Sequence, residues 1–249
     1  MLESSMIEIK KGALQYLDSD TPIMQNLNMQ IPAHRWTCIL GKSGCGKSSL
    51  LRYLAGLLDN TVAWGGNVSF RQGEQPNQIA YMAQQDLLMP WLNVLDNVCF
   101  SLKFSQQKRT ETQTKNALAL IESVGLSEHT QKQPHQLSGG MRQRVALART
   151  LMQDKPIVLM DEPFSALDAI TRHKLQNLSA KLLRDRTVIL ITHDPQEALR
   201  LGSQIYIMQG NPAYAAPLEV PQSTIPRVMD NHLAQLHQSI LQTLERDYA

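Results

Sequence analysis

Short apolar runs recur along this chain, and stretches with helical periodicity separate them. The runs occupy positions 36–40, 79–82, 157–160, 188–192 and 205–208. Bounded apolar runs of this length are typical of strands that are buried on both faces. Three of them precede segments with helix-start chemistry, at 46–57, 166–183 and 194–201. The alternation predicts an α/β fold with a mostly parallel sheet.

The strand pattern disappears between residues 87 and 152. In that stretch Ala117, Leu120, Ile121 and Val124 fall on one face of a helix. We therefore predict a helical subdomain over 87–152, inserted between two parts of the sheet-forming core at 1–86 and 153–210.

Beyond Gly210 the chain is rich in proline and then regains apolar residues at helical spacing. This order predicts an irregular crossing followed by an amphipathic helix, in a tail over 211–249. A regulatory domain is the alternative, but the tail is short for a domain, which favours docking onto the body. The prediction is a single domain over 1–249.

Composition excludes several classes of protein. The chain has 249 residues, 43% hydrophobic and 18% charged, which is typical of a globular protein and not of a disordered or fibrous one. Its net charge of +2, with acids and bases intermixed, argues against a nucleic-acid partner. The apolar runs fall far short of the roughly 20 residues that cross a bilayer.

The N-terminal stretch and the cysteines indicate the compartment. Residues 1–11 include Glu3 and Glu8 and lack the layout of a secretory signal, so we expect the chain to stay in the cytoplasm. Cys38, Cys45 and Cys99 form no CxxC pair, which favours reduced thiols over a disulfide or a zinc site.

One segment between a predicted strand and a predicted helix completes the pattern GxxxxGK[ST]. It consists of Gly41, Lys42, Ser43, Gly44, Cys45, Gly46, Lys47 and Ser48. Glycines let the backbone wrap a polyphosphate, whose charge meets the loop N–H groups and the helix N-terminus. Lys47 fits the β and γ oxygens and the Ser48 hydroxyl fits Mg²⁺. The alternative is a glycine-rich turn without a ligand, which the strand and helix context disfavours.

An acidic pair follows the predicted strand at 157–160. Asp161 and Glu162 lie at its carboxyl end, where open α/β sheets bind their ligands. Asp161 fits a carboxylate that reaches Mg²⁺, and Glu162 fits the residue that orients and deprotonates an attacking water. Alone, such a pair is typical of a solvated loop.

Further motifs, in order along nearly the whole chain, resemble those of ABC ATPases. Residues 137–144, Leu-Ser-Gly-Gly-Met-Arg-Gln-Arg, resemble the family signature at the start of a predicted helix over 138–151. Gln84 looks like the Q-loop glutamine, 165–168 like the D-loop, and His193 like the switch histidine.

The resemblance implies a fold and roles for these residues. The fold is an α/β P-loop ATPase core with a mostly parallel sheet, an antiparallel β portion near the N-terminus and an inserted helical subdomain. Glu162, His193 and Gln84 are the expected catalytic residues, and Ser48, Gln84 and Asp161 the expected Mg²⁺ ligands. Tyr16 matches the aromatic that stacks on adenine, although a core role is the alternative, and Ser49 extends the ATP-binding loop. Ser138, Gly139, Gly140 and Asp168 are expected to act across a dimer.

The segment 87–98 looks like the permease-contacting region of importer subunits for nitrate, sulfonates, taurine and thiamine precursors. Trp91 is then either a contact residue or a core aromatic. Lys42 and Ser49 depart from the family's usual proline and threonine without removing a catalytic group.

The implied assembly is a homodimer at the cytoplasmic face of the inner membrane. It binds an integral-membrane permease and, indirectly, a periplasmic or surface solute-binding protein. A soluble ABC ATPase without a transport role is the alternative function.

Overall fold

A computed structural model describes residues 5–58, 60–71, 78–104 and 109–248. Residues 1–4 of the N-terminal stretch and residue 249 of the predicted domain therefore lie outside the described residues. The strands are β1 (Ser5–Tyr16), β2 (Met24–Pro32), β3 (Trp36–Gly41), β4 (Val62–Phe70), β5 (Ile79–Met82), β6 (Ile157–Asp161), β7 (Thr187–Ile191), β8 (Gln204–Gln209) and β9 (Tyr214–Leu218). The α-helices are α1 (Lys47–Leu54), α2 (Val94–Val98), α3 (Glu111–Ser123), α4 (Gly139–Met152), α5 (Ala169–Leu182), α6 (Pro195–Leu201) and α7 (Asn231–Tyr248).

The central sheet has the strand order β5-β6-β7-β3-β8-β9. All its neighbouring strands are parallel except β8 and β9, which confirms the mostly parallel prediction. Both faces are covered. Cys38 and Leu40 belong to one buried cluster, while Ile39 between them belongs to the other. Because successive side chains of a strand point to opposite faces, burial of both faces produces the continuous apolar runs.

The irregular crossing predicted after Gly210 is partly wrong. β9 forms there and pairs with β8 at the edge of the sheet. Its Pro217 argued against a strand, but an edge strand has one side without ladder partners and so tolerates a missing N–H.

A second sheet, β2-β1-β4, is antiparallel and confirms the expected antiparallel portion near the N-terminus. Its inner residues, among them Ile7, Leu14 and Leu27, share a buried cluster with α1 and one face of the central sheet. This packing brings the end of β1 next to the start of α1, where Tyr16 meets Ser49.

Helices α2, α3 and α4 form the helical region, and no strand occurs among its described residues. On α3 and just after it, Ala117, Ile121 and Val124 are buried, as the periodicity predicted. Capping decides where several helices begin. α5 starts at Ala169, later than predicted, because Asp168 is extended and its side chain accepts from the Thr171 N–H.

The tail packs against the body. Leu233 and Ile240 of α7 belong to the main buried cluster, and α7 contacts α6. Before α7, the buried Arg227 donates hydrogen bonds to the carbonyls of Leu199 and Gly202 at the end of α6. The amphipathic pattern of the tail therefore reflects docking.

Candidate functional site

The phosphate-loop segment lies at the carboxyl end of β3 and turns directly into α1. Gly46 caps α1 with φ of 93°, in the left-handed region that favours glycine. A side-chain carbon at Gly41 would lie 2.8 Å from the Met208 carbonyl oxygen, so the backbone here tolerates no larger residue. The glycines thus serve the close turn that the motif predicts.

Lys47 is buried, and its ammonium group points back at the loop. Nζ donates to the carbonyls of Gly41, at 2.8 Å, and Lys42, at 2.7 Å, and lies 3.7 Å from Cys45 Sγ. A lysine ammonium has three donors, so this cation is held in place by the loop carbonyls. The Cys45 side chain is only 6% exposed, which makes it a packing residue of the loop.

Asp161 ends β6 beside the first turn of α1. The carboxylate is buried, with the Ser48 hydroxyl next to it, and its Oδ2 has no hydrogen-bond partner among the described residues. Burial raises the pKa of the Asp161 carboxyl, and the nearby Ser48 hydroxyl and Lys47 charge partly offset the rise. A buried carboxylate with an unpartnered oxygen next to a hydroxyl is the arrangement expected of a site for a hard cation.

Glu162 brings the three expected catalytic side chains together. Its Oε2 accepts a hydrogen bond from Gln84 Nε2 at 3.1 Å and lies 3.1 Å from Nδ1 of His193. Glu162 has φ of 49°, a left-handed conformation that is strained for a residue with a side chain, and its N–H donates to the Ile191 carbonyl. Strained residues of this kind cluster at functional sites, where the surrounding structure enforces them.

Gln84, Glu162 and the phosphate loop line one cleft of about 420 Å³, whereas His193 lines a small neighbouring cleft that also contains Glu162. The lining of the 420 Å³ cleft consists of Tyr16, Ile23, Ser43, Gly44, Gly46, Lys47, Ser48, Ser49, Gln84 and Glu162. A larger cleft of about 950 Å³ lies near the start of β3, opposite the carboxyl ends of the parallel strands. None of the phosphate-loop residues lines it. The 420 Å³ cleft is the candidate site because it lies at the carboxyl ends of the strands.

Tyr16 lies at this cleft and also packs against the neighbouring core. Its hydroxyl is 2.9 Å from Ser49 Oγ. The ring is partly buried against the cluster beneath the antiparallel sheet. The two interpretations of Tyr16 are therefore compatible, since one side of the residue packs and the other faces the cleft.

The signature residues lie elsewhere on the surface. Ser138 and Gly139 are exposed, and Ser138 caps α4 by accepting from the Met141 N–H at 3.3 Å. A side-chain carbon at Gly140 would lie 3.4 Å from Leu167, which places the signature beside the loop that carries Asp168. None of these residues lines the 420 Å³ cleft in the described part of the chain. One chain therefore presents two separate candidate anion sites.

Sequence reasoning missed the link between α4 and the Gln84 loop. Arg149 donates to the carbonyls of Asp86, at 2.6 Å, and Leu87, at 2.7 Å, and Arg142 Nε donates to Asp86 Oδ2 at 2.9 Å. Arginines on a polar helix face resemble ordinary solvated residues, so the pattern contains no signal for this link. These hydrogen bonds attach α4, which begins at the signature residues, to the loop that follows Gln84.

The segment after Gln84 is divided between surface and core. Trp91 is 68% and Leu87 55% exposed, whereas Leu88 is only 8% exposed. The core interpretation of Trp91 is therefore wrong, whereas Leu88 of the same segment belongs to the core. Asn97 explains the shape: it is fully buried and binds both the N–H and the carbonyl of Met89 and the carbonyl of Leu92. This framework displays Trp91 on a fixed loop.

Comparison with known proteins identifies a family and several similar chains. A family model described as ABC transporter matches residues 24–165. An uncharacterized ABC transporter ATP-binding protein of Haemophilus influenzae is 43% identical, over 97% of this chain and 96% of that protein. The taurine import ATP-binding protein TauB of Rhizobium johnstonii is 43% identical, over 76% of this chain and 72% of its own length. The aliphatic sulfonates import ATP-binding protein SsuB 1 of Xanthomonas axonopodis pv. citri is 38% identical, over 87% of each.

Solved structures match as well. The dimeric post-hydrolysis state of the ATP-binding cassette MJ0796, bound to ADP and Pi, superimposes with a TM-score of 0.75 at 28% identity. It covers 87% of this chain and 99% of the cassette. A second dimeric structure of the same cassette gives a TM-score of 0.76 at 29% identity.

Proposed function

The chain belongs to the ABC transporter family, and from that premise we propose that it is the ATP-hydrolysing subunit of an importer that drives solute through a separate membrane permease. The observation that carries the proposal is the meeting of Gln84, Glu162 and His193 beside the phosphate loop. Relatives named as taurine and aliphatic sulfonate import proteins support an importer over a soluble ATPase without a transport role.

ATP binds in the 420 Å³ cleft. Its phosphates accept hydrogen bonds from the N–H groups of the loop and of the N-terminus of α1. The Lys47 ammonium group turns from the loop carbonyls to the β and γ oxygens. Tyr16, at the cleft, stacks on adenine. Ser43, Gly44 and Ser49 complete the wall on the loop side.

Mg²⁺ fits this donor set. Oxygen ligands suit the ion, which commonly uses one or two protein groups beside substrate phosphates. The Ser48 hydroxyl and the unpartnered Oδ2 of Asp161 supply such groups, and the Gln84 amide oxygen is a third candidate because its nitrogen binds Glu162. When bound, Mg²⁺ neutralises charge on the β and γ phosphates.

Hydrolysis requires a water held in line with the γ-phosphate. Glu162 orients this water and accepts its proton, and the hydrogen bond from Gln84 keeps the carboxylate in place. His193, 60% exposed at its side chain, contacts the γ-phosphate from the other side of Glu162. The surrounding structure enforces the left-handed backbone of Glu162, which directs its carboxylate to the cleft.

Two copies of the chain act together. Because Ser138, Gly139, Gly140 and Asp168 lie apart from the cleft of their own chain, each set covers the γ-phosphate held by the partner. The dimeric cassettes with the same fold support this arrangement. ATP closes the dimer because it interacts better with the closed than with the open form.

The permease docks on the exposed Trp91 loop. None of the helices in the described ranges is long and apolar enough to cross a membrane. We place the subunit at the cytoplasmic face of the inner membrane, bound to its permease, with a solute-binding protein delivering cargo from outside, as the import function of the relatives suggests.

Release of phosphate from ATP by the purified chain tests the ATPase activity. Co-expression with the permease tests the role as an importer subunit. We expect Mg²⁺-dependent ATP hydrolysis that Lys47→Ala abolishes and that the reconstituted permease accelerates. Hydrolysis that is insensitive to Lys47→Ala contradicts the site. Hydrolysis that no permease stimulates favours the soluble ATPase instead.

A further inference from the structure

The C-terminal end of α7 reaches the phosphate loop. Nζ of Lys42 donates to the Asp247 carbonyl at 2.9 Å and lies 3.3 Å from its carboxylate oxygen Oδ2. The other carboxylate oxygen, Oδ1, accepts from the Gly210 N–H at 2.7 Å. The Lys42 and Asp247 side chains are only 26% and 11% exposed, so solvent screens this ion pair less than a surface pair.

Asp247 thereby joins two neighbouring strand ends. Lys42 follows β3 directly and Gly210 follows β8 directly, and these strands are paired up to Gly41 and Met208. One carboxylate therefore fixes the turn after β8 relative to the first residue of the phosphate loop beyond β3. The start of the phosphate loop at Lys42 and the turn at Gly210 cannot move apart without breaking one of their two contacts with Asp247.

Lys42 also connects this anchor to Lys47. The Lys42 carbonyl accepts from Lys47 Nζ at 2.7 Å, and its side chain makes the contact with Asp247. In the described part of the chain, Lys42 is thus the single residue that connects Asp247, at the end of α7, with the Lys47 ammonium group of the proposed phosphate site. The helix itself is held by Leu233 and Ile240 in the core and by its contact with α6, which follows His193.

We propose that Asp247 is a positioning residue for nucleotide binding, which holds the phosphate loop in its binding conformation through Lys42 and Gly210. The inference rests on the proposed function of the loop. It ties the conformation of the tail to ATP affinity, so a partner that moves α7 changes that affinity.

Two opposite effects of Asp247 have to be weighed. Its negative charge neutralises Lys42 and so reduces the attraction of the loop for phosphate, whereas its contacts pre-organise the loop. The Lys42 ammonium is directed at Asp247, and the phosphates have Lys47 and the loop N–H groups as their direct partners. Pre-organisation therefore dominates, and loss of Asp247 weakens nucleotide binding.

The test compares Asp247→Ala with Lys42→Met in the full chain, using Mg²⁺-ATP as the probe. We expect each change to raise the ATP Kd and KM about fivefold, the lower end of measured couplings between sites, with kcat within about twofold of wild type. The effect of the double variant should be smaller than the sum of the two single effects, because the Lys42–Asp247 ion pair is lost in all three. Glu245→Ala removes an exposed carboxylate from the same helix and should leave the Kd unchanged.

Several results overturn the proposal. An unchanged or lower Kd in Asp247→Ala shows that the contact does not pre-organise the loop, and additive effects in the double variant show that the two residues act separately. If Asp247→Ala does not fold, Asp247→Asn decides by the same Kd criterion, because the amide removes the ion pair while Lys42 keeps its charge, with thermal unfolding of the nucleotide-free chain as the check. A wild-type chain that binds no ATP contradicts the proposed function itself, whereas normal wild-type binding with an unaffected Asp247→Ala contradicts only the positioning role.

Discussion

Glu162 combines a strained backbone with contacts of its carboxylate to Gln84 and His193, and we propose that hydrolysis depends on this carboxylate. We predict that Glu162→Gln retains binding of Mg²⁺-ATP but slows hydrolysis at least about 10²-fold, because the amide cannot accept a proton from water. Phosphate release and ATP affinity, measured on the same preparation, test both halves. The ATP-bound dimer should accumulate and be visible as doubled mass in solution. Normal turnover in this variant removes Glu162 from its role.

Asp161 illustrates a conflict between stability and function. Its raised pKa means that the folded state binds a proton more tightly than the unfolded chain, so ionisation of Asp161 costs stability as the pH rises through the folded-state value. Asp161→Asn should therefore stabilise the nucleotide-free protein by about 1 kcal/mol at neutral pH while weakening Mg²⁺-dependent ATP binding.

Urea unfolding without nucleotide, at about pH 7.5 and about pH 5, checks the sign of this effect. The gain in the free energy of unfolding of Asp161→Asn over wild type should be smaller at the lower pH. There, Asp161 is already protonated in a larger fraction of the folded wild-type molecules. Ser165→Ala is a control, because it removes a hydrogen bond near the site without removing a carboxylate. A loss of stability in Asp161→Asn at neutral pH contradicts the interpretation.

At the scale of elements, the loop between β5 and α2 keeps a fixed shape because Asn97, on α2, satisfies its backbone. Asn97→Ala leaves the part-buried N–H of Met89 and the carbonyl of Leu92 without the Asn97 partner, and it removes one of the two hydrogen bonds to the Met89 carbonyl. We predict a loss of about 2 kcal/mol in the free energy of unfolding. Asn93→Ala removes the cap of α2 and an exposed hydrogen bond to Gln131, and should cost about 1 kcal/mol. Equal costs for the two variants contradict the special role of Asn97.

At the scale of the whole molecule, we propose that the exposed Trp91 is the point where the ATPase unit meets its permease. Trp91→Ala should leave the free energy of unfolding within about 0.5 kcal/mol of wild type and weaken permease association by about 2 kcal/mol, since buried aromatic anchors dominate such interfaces. Thermal unfolding and co-purification with the permease measure the two quantities.

Two further substitutions complete the Trp91 experiment. Val228→Ala truncates a residue that is 82% exposed on the tail and should affect neither quantity. Leu88→Ala removes a buried side chain and should lower stability by about 2 to 5 kcal/mol. A Trp91→Ala chain that co-purifies normally with its permease contradicts the docking surface.

The sequence alone predicted five strands of the central sheet, β3 and β5 to β8, and the motif of the phosphate loop, because each depends on local chemistry: apolar runs and glycine spacing. Gly46 and Asp168 act within a few residues of their own position, so the printed sequence contains their signal. The resemblance gave the expected roles of Gln84, Glu162 and His193. Folding brings the Gln84 and His193 side chains to the carboxylate of Glu162.

Tertiary structure decided what depends on residues far apart in the chain. β9 forms despite Pro217 because the edge of the sheet accepts it, and Trp91 is exposed while Leu88 is buried because Asn97 fixes the loop between them. The contact of Asp247 with Lys42 spans 205 positions. A charged residue near a helix end and a lysine in a loop have no shared pattern, so only the packing of α7 against the body brings them together.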